Sequence, residues 1–236
     1  MLNFIMRWVR NLIIFFFVST VGMTVALKYV PVYLTPLMFI RAAGHIADGK
    51  MPEMHHQWVP LEQISPNMPQ AVMASEDNLF LQHKGFDFEQ IYQARLEALK
   101  KGRERGASTI SQQTAKNVFL WPSHSWVRKG FEAYFTVLIE KIWGKQRIME
   151  VYLNSIETGN DIYGVEAVAR LHFGCKAADL TKNQAALIAA TLPNPRERDS
   201  ANPTPYLKKR RRQIVDLMGK IETFPMPDSE TPDEKQ

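Results

Sequence analysis

The residues with chemical potential fall into five short stretches. The first, ASEDNLFLQHKGFD at 74–87, packs Glu76, Asp77 and His83 into eight positions, with Phe80 between them and the turn residue Gly85 behind. Acids beside apolar side chains can have a raised pKa and exchange protons near neutrality. A capped surface loop is the plainer reading of the same residues. The second stretch, RGASTISQQTAKN at 105–117, combines small residues such as Gly106 with Ser108, Thr109, Gln112 and Gln113, and ends on Lys116 and Asn117. Small residues let backbone approach a ligand, and the hydroxyls, amides and cation can bind a polar or anionic one; a Thr109-x-x-Gln112 capping box is the structural alternative.

The third stretch is VRKGFEA, where Arg128 and Lys129 lie four and three residues before Glu132 and share a helix face with it. An ordinary surface ion pair would look the same. The fourth, KQRIMEVYLN at 145–154, sets Glu150 and Asn154 one turn apart around Tyr152 and suggests a buried acid ordering neighbouring helices. The fifth, YGVEAVARLHFG at 163–174, runs from Gly164 to Gly174 with small residues that suit close helix packing.

The elements that must hold these groups read as helices. Strand signals are scarce and long period-two alternation is missing, so the body is expected to be all-α. Asp87 should cap a helix carrying Phe88, Ile91, Tyr92, Leu96 and Leu99 up to Gly102. Further helices are expected over 125–143, 145–153 and 206–224, and from the capping box Thr181-x-x-Gln184 to a stop at Pro193. Loops are expected near 103–107, 155–163 and 193–204.

Composition limits the remaining possibilities. The 236 residues carry a formal charge of +5 and are 45% hydrophobic, which is incompatible with a mostly disordered chain. The single Cys175 excludes an internal disulfide framework and a Cys-rich zinc site. Residues 1–40 hold no acid, only Arg7, Arg10 and Lys28. The uncharged run from Asn11 to Leu27 would span about 26 Å as a helix, close to a hydrocarbon core. An uncleaved anchor fits better than a cleaved signal peptide or a buried helix, because the candidate cleavage sites are poor. Arg7 and Arg10 before the span put the N-terminus in the cytoplasm. Tyr29 to Ile40 is apolar but interrupted by Pro31 and Pro36; membrane interface and packing on the body remain equal alternatives.

Taken together and in this order, the five stretches resemble the blocks of the peptidoglycan glycosyltransferase family. The patterns are E-D-x-x-F-x-x-H-x-G (Glu76 to Gly85), G-x-S-T-x-x-Q-Q-x-x-K-N (Gly106 to Asn117), R-K-x-x-E (Arg128 to Glu132), K-x-x-I-x-E-x-Y-L-N (Lys145 to Asn154) and G-x-E-A-x-A-x-x-x-F-G (Gly164 to Gly174). The resemblance covers roughly residues 60–200. With a single anchor and no Ser-x-x-Lys transpeptidase segment following, the chain is most similar to the monofunctional biosynthetic form.

The resemblance implies a lysozyme-like helical domain with a membrane-proximal jaw, acting on lipid II and the growing glycan-lipid. Glu76 aligns with the catalytic base and Glu132 with the second glutamate. Asp77, His83, Ser108, Thr109, Gln112, Gln113, Lys116, Asn117, His124, Arg128 and Lys129 align with substrate-lining positions. Phe80, Gly85, Gly106, Glu150, Tyr152, Asn154, Gly164 and Gly174 align with structural ones. No cofactor is required and no metal-ligand cluster is visible, although some members use Mg or Mn at the diphosphate. Implied partners are membrane lipids and wall-synthesis or division proteins, with no nucleic acid.

Two positions depart from the pattern: His124 stands where many members have arginine, and Cys175 where lysine is usual. The implied layout is a cytoplasmic N-terminus at 1–10, a transmembrane anchor at 11–28, a membrane-proximal segment at 29–60, the glycosyltransferase domain at 61–224 (motif core about 70–195) facing the periplasm from the inner membrane, and a disordered tail at 225–236. A murein hydrolase and a non-enzymatic membrane-anchored scaffold are the competing readings. Lys116, Arg128 and Lys129 speak against the first, and the intact glutamates against the second. The basic run at 208–212 is expected to be a solvated helix face or a headgroup contact rather than a nucleic-acid site.

Overall fold

A computed structural model describes residues 1–102, 106–123 and 125–227. Helix α1 (Leu2–Tyr29) is long and apolar enough to cross a membrane, and little of it is buried against the rest of the chain. Its C-terminal half is nevertheless tied down. Thr20 shares a hydroxyl hydrogen bond of 2.8 Å with Tyr134, the Trp143 indole donates to the Thr24 carbonyl, and Arg147 donates to the Leu27 and Val30 carbonyls.

The interrupted apolar segment resolves into a second helix, α2 (Pro36–Ala47). Thr35 caps it from the N-terminal side, with Pro36 in the first turn where a missing N–H costs nothing. Val32 and Met38 are buried, whereas Tyr33, Leu34, Phe39 and Ile46 are exposed, so the segment both packs on the body and presents an apolar face.

The remaining helices are α3 (Asn67–Glu76), α4 (Phe88–Lys101), α5 (Ile110–Phe119), α6 (Trp126–Ile142), α7 (Gly144–Ser155), α8 (Val165–Phe173), α9 (Lys182–Thr191) and α10 (Pro205–Met218). The expected caps form: Asp87 accepts from Gln90 N, and Thr109 and Thr181 each close a reciprocal capping box. α9, the AALIAAT run, is enclosed on nearly all sides by α3 and α10, which is what a helix apolar all round requires. α7 is similarly interior, with Ile148, Met149, Tyr152 and Leu153 fully buried.

Three expectations change. The 155–163 loop contains strands β2 (Glu157–Gly159) and β3 (Ile162–Tyr163), with β1 (His55–His56) pairing in parallel on β3. Strands of two or three residues are too short to show alternation, and the turn uses Asp161 at φ 56° instead of a glycine. The last helix ends at Met218 rather than near Phe224, and the chain beyond it still packs: Phe224 is buried and the Pro225 carbonyl accepts from Gln146. Along α4, Phe88, Tyr92 and Leu99 are exposed, so its apolar stripe does not join the core.

Two glycines are dictated by geometry. Gly85 has φ +99°, and a Cβ there would lie 2.8 Å from Thr136 Cγ2. Gly164 has φ +80°, and its Cβ would meet the Asn154 carbonyl oxygen at 2.8 Å. Neither position tolerates a side chain without displacing backbone or core.

Candidate functional site

The two ends of α5 organise the site. At its N-terminus lies a cavity of about 210 Å³ containing Glu76, Ser108 and Arg210. At its C-terminus lies a second, of about 370 Å³, lined by Lys116, Asn117, Arg128 and Trp121. A third, of about 220 Å³, holds Gln113, Lys116 and Tyr152.

Glu76 is the last residue of α3 and accepts hydrogen bonds from Ser75 Oγ (3.2 Å) and Gln113 Nε2 (3.1 Å). Burial pushes its pKa up; the two hydrogen bonds and the charge of Arg210 oppose that rise without cancelling it. The Gln113 amide is oriented from behind. The buried Tyr152 hydroxyl donates to Gln113 Oε1 at 3.1 Å, which turns the amide nitrogen toward Glu76. Burial and the nearby acids hold the phenol well above its usual range, so it stays a donor.

Asp77 and His83, although close in sequence to Glu76, serve the scaffold. Asp77 is buried and accepts from Ile110 N at the start of α5 and from His83 Nε2. The other ring nitrogen of His83 accepts from Gly85 N, which fixes the tautomer. Thr109 and Gln112 are likewise occupied with the capping box, and Thr109 Oγ1 also donates to the Gly85 carbonyl. The first two motifs are thus stitched together through their polar side chains. Asp77 and Thr109 border the first cavity but are engaged in these bonds, which leaves Glu76, Ser108, Gln113, Lys116 and Asn117 as the cavity-lining polar groups with chemistry to do. Gly106 lines the first cavity with backbone.

On α6, Glu132 is 3% exposed and has a cation on each oxygen: Arg128 Nη1 at 2.7 Å on Oε2 and Lys129 on Oε1. Arg128 Nε is also held by the Ser123 carbonyl at 2.6 Å. Lys129 contacts Ser108 Oγ as well, linking α6 to the first cavity. Burial lowers the pKa of Lys116, and the charges of Arg128 and Lys129 add to that, while Glu132 opposes it. Lys116, Asn117 and Arg128 thus face one cavity that Glu157 also lines, with Glu132 behind Arg128 already holding a cation on each oxygen. His124 lies outside the described residues.

Apart from Tyr152, which reaches the site through Gln113, the fourth and fifth motifs brace the scaffold. Glu150 accepts from Arg147 and Leu61 N; the Asn154 amide clamps both backbone groups of Val59. Glu166 is buried between Arg170 and the Ala177 N–H. Gly174 ends α8 in the left-handed conformation. Cys175, half-buried, has its thiol pKa raised by burial and makes only a long contact to the Ala169 carbonyl.

Sequence reasoning missed Arg210. The basic run reads as a solvated helix face or a headgroup contact, yet Arg210 leans over α3 into the Glu76 cavity and donates to the Ser75 carbonyl at 3.4 Å. No local signal separates it from its neighbours; only the packing of α10 on α3 selects it. Among the described residues, no group of three His, Cys, Asp or Glu side chains forms a metal site.

The family model described as transglycosylase matches residues 44–219. A protein named biosynthetic peptidoglycan transglycosylase from Bacteroides thetaiotaomicron is 56% identical over 231 residues, covering 98% of this chain and 93% of its own length. Proteins of the same name from Bdellovibrio bacteriovorus and Caulobacter vibrioides are each 49% identical, covering 89% and 93% of this chain and 84% and 95% of their own lengths.

Proposed function

This chain belongs to the transglycosylase family, and on that premise we propose that it polymerises lipid II into linear glycan strands for cell wall synthesis. The observation that carries the reading is the pairing of one desolvated carboxylate, Glu76, in the cavity at the N-terminal end of α5 with a separate cation-lined cavity at the C-terminal end of α5.

Transfer from a lipid diphosphate needs a base for the attacking hydroxyl, positive charge for the departing diphosphate, and alignment of the two. In the proposed step, Glu76 takes the proton from the acceptor 4-hydroxyl as its oxygen bonds to the donor anomeric carbon. The bond from that carbon to the diphosphate oxygen breaks, and its electron pair leaves with the diphosphate. Lys116 and Arg128 receive that charge. Attack opposite the leaving group inverts an α-linked donor to a β-1,4 product, with undecaprenyl diphosphate released.

Glu132 orients Arg128 and Lys129. A glycosidase would need its second carboxyl as an acid for an uncharged leaving group; here the second carboxyl is occupied by cations, which favours the transferase over the hydrolase reading. The carboxylates beside the larger cavity, Glu132 and Glu157, already pair with lysine or arginine, so these residues fit an anion better than a resident Mg or Mn ion.

The anchor confines the enzyme to the leaflet that holds both lipid-linked substrates, which raises their effective concentration. We place the N-terminus in the cytoplasm and the body on the periplasmic face of the inner membrane, because Arg7 and Arg10 precede the span.

Purified protein with labelled lipid II tests the proposal. Long glycan strands are expected from the wild type and none from Glu76→Gln, whose retained fold circular dichroism checks. Polymerisation by that variant would falsify the assigned base.

A further inference from the structure

Arg41 belongs to none of the five motifs. It sits on α2, the membrane-proximal helix, yet it lines the same cavity as Lys116, Asn117 and Arg128. Its Nε is buried and finds no hydrogen-bond acceptor. The nearest carboxylate oxygen, Glu157 Oε1, is 3.5 Å away, whereas Arg128 holds Glu132 at 2.7 Å. About a third of the Arg41 side chain remains open. Glu157 is itself desolvated, which raises its pKa against the opposing charges of Arg41 and Arg196.

The placement of α2 does not depend on this loose pair. Met38 and Thr35 are buried beneath the helix, and His45 contacts both carboxylate oxygens of Asp161 at 3.0 Å. Arg41 can therefore exchange its partner while the helix stays seated. A guanidinium offers a planar fork of donors that fits phosphate oxygens bidentately. The helix that carries it also exposes Phe39 and Ile46, so a lipid tail leaving the cavity would meet the same element as its headgroup.

We propose that Arg41 is a substrate-binding residue for the diphosphate of the lipid-linked donor, and that Glu157 is its resting partner, displaced when the diphosphate enters. This rests on the reading of the cavity as the donor site. It makes α2 a wall of the active site and not only a link between the anchor and the body.

A salt bridge that merely docks α2 predicts that losing either partner has the same effect. A diphosphate ligand predicts opposite effects. The test uses the full-length chain in detergent, with undecaprenyl diphosphate as the binding probe and lipid II for polymerisation kinetics. Arg41→Gln should weaken undecaprenyl diphosphate binding and raise the lipid II KM by about tenfold, the loss expected for one charge-assisted contact, with kcat little changed. Arg41→Lys should recover part of the loss. Glu157→Gln should bind the probe as tightly as the wild type or more so, because it frees Arg41 and removes a competing negative charge.

Unchanged probe affinity in Arg41→Gln, or equal weakening in Arg41→Gln and Glu157→Gln, would overturn the assignment. So would a loss seen with lipid II but not with undecaprenyl diphosphate, which would move the contact to the sugar or peptide. Should Arg41→Gln fail to fold, Glu157→Gln decides alone, and weakened binding there refutes the proposal. A wild type that neither binds the probe nor polymerises lipid II would instead refute the donor-site reading itself.

Discussion

Replacing Tyr152 with phenylalanine removes one oxygen from a fully buried position and leaves the ring packed. That oxygen is the donor that fixes the Gln113 amide, and the amide is a direct hydrogen-bond donor to Glu76. Without it, the only other group that distinguishes the amide's nitrogen from its oxygen, apart from Glu76 itself, is the Ser108 carbonyl, which accepts a long hydrogen bond of 3.4 Å from Nε2. Part of the population then turns the carbonyl toward the carboxylate, where it favours the protonated acid. A hydrogen bond to a charged group contributes about 1.5–3 kcal/mol, and 1.36 kcal/mol corresponds to one pKa unit. Loss of the lower figure moves the acid limb of the rate profile upward by about one pH unit.

The variant should therefore polymerise lipid II about tenfold more slowly on the acid side and approach the wild-type rate above the limb. KM for the donor should hold, because Lys116 and Arg128 do not touch Tyr152. The assay is kcat and KM for lipid II polymerisation from pH 5 to 9, with thermal melting as a control for the fold. An acid limb left in place, with activity reduced uniformly at every pH, would show that Tyr152 only fills space and that the relay reasoning is wrong.

The wild-type profile should be bell-shaped, with its acid limb set by Glu76, which burial raises, and its alkaline limb by Lys116, which burial lowers; initial rates across pH check both limbs, and insensitivity of the alkaline limb to Lys116→Arg would remove that residue from it. Glu76→Gln should melt higher than the wild type, increasingly so as pH rises: an acid whose folded pKa is raised contributes stability below its unfolded pKa and loses it through the folded one. Calorimetry at pH 5 and pH 8 reads that difference, and a gap that narrows with pH contradicts it. Glu132→Gln should cut turnover by about tenfold or more, because Arg128 and Lys129 lose a shared partner and their orientation; a near-wild-type rate would reduce Glu132 to a helix ion pair. Arg210→Gln should slow turnover with little change in fold, and should raise the acid limb by removing a charge that favours ionised Glu76; an unmoved limb would return Arg210 to the solvated face.

Much of the helical architecture was legible because it is written locally. Asp87, Thr109 and Thr181 are capping residues whose partners lie three positions on, and each cap forms where its spacing indicates. The β2–β3 hairpin was hard to read, since its strands are too short to carry a period and only the turn residues Gly159, Asn160 and Asp161 mark it. The stripe on α4 shows the converse limit: helical spacing specifies a face, but whether that face meets a core depends on what else the chain brings there.

The same division runs through the site. Spacing alone puts Arg128, Lys129 and Glu132 on one helix face, and the order of the five motifs alone indicates the family. Composition by itself, through the single cysteine, excludes an internal disulfide framework and a Cys-rich zinc site. Tertiary structure decided the rest. It separated Glu76 from Asp77, adjacent residues of similar chemistry that border one cavity, by tying Asp77 to His83 and the start of α5 and leaving Glu76 with the neutral donors Ser75 and Gln113. It selected Arg210 from a uniform basic run and Arg41 from a segment that reads as a membrane link. The physical reason is that a side chain's role depends on its desolvation and its partners, and most of those partners lie tens of residues away in sequence, where no local pattern records them.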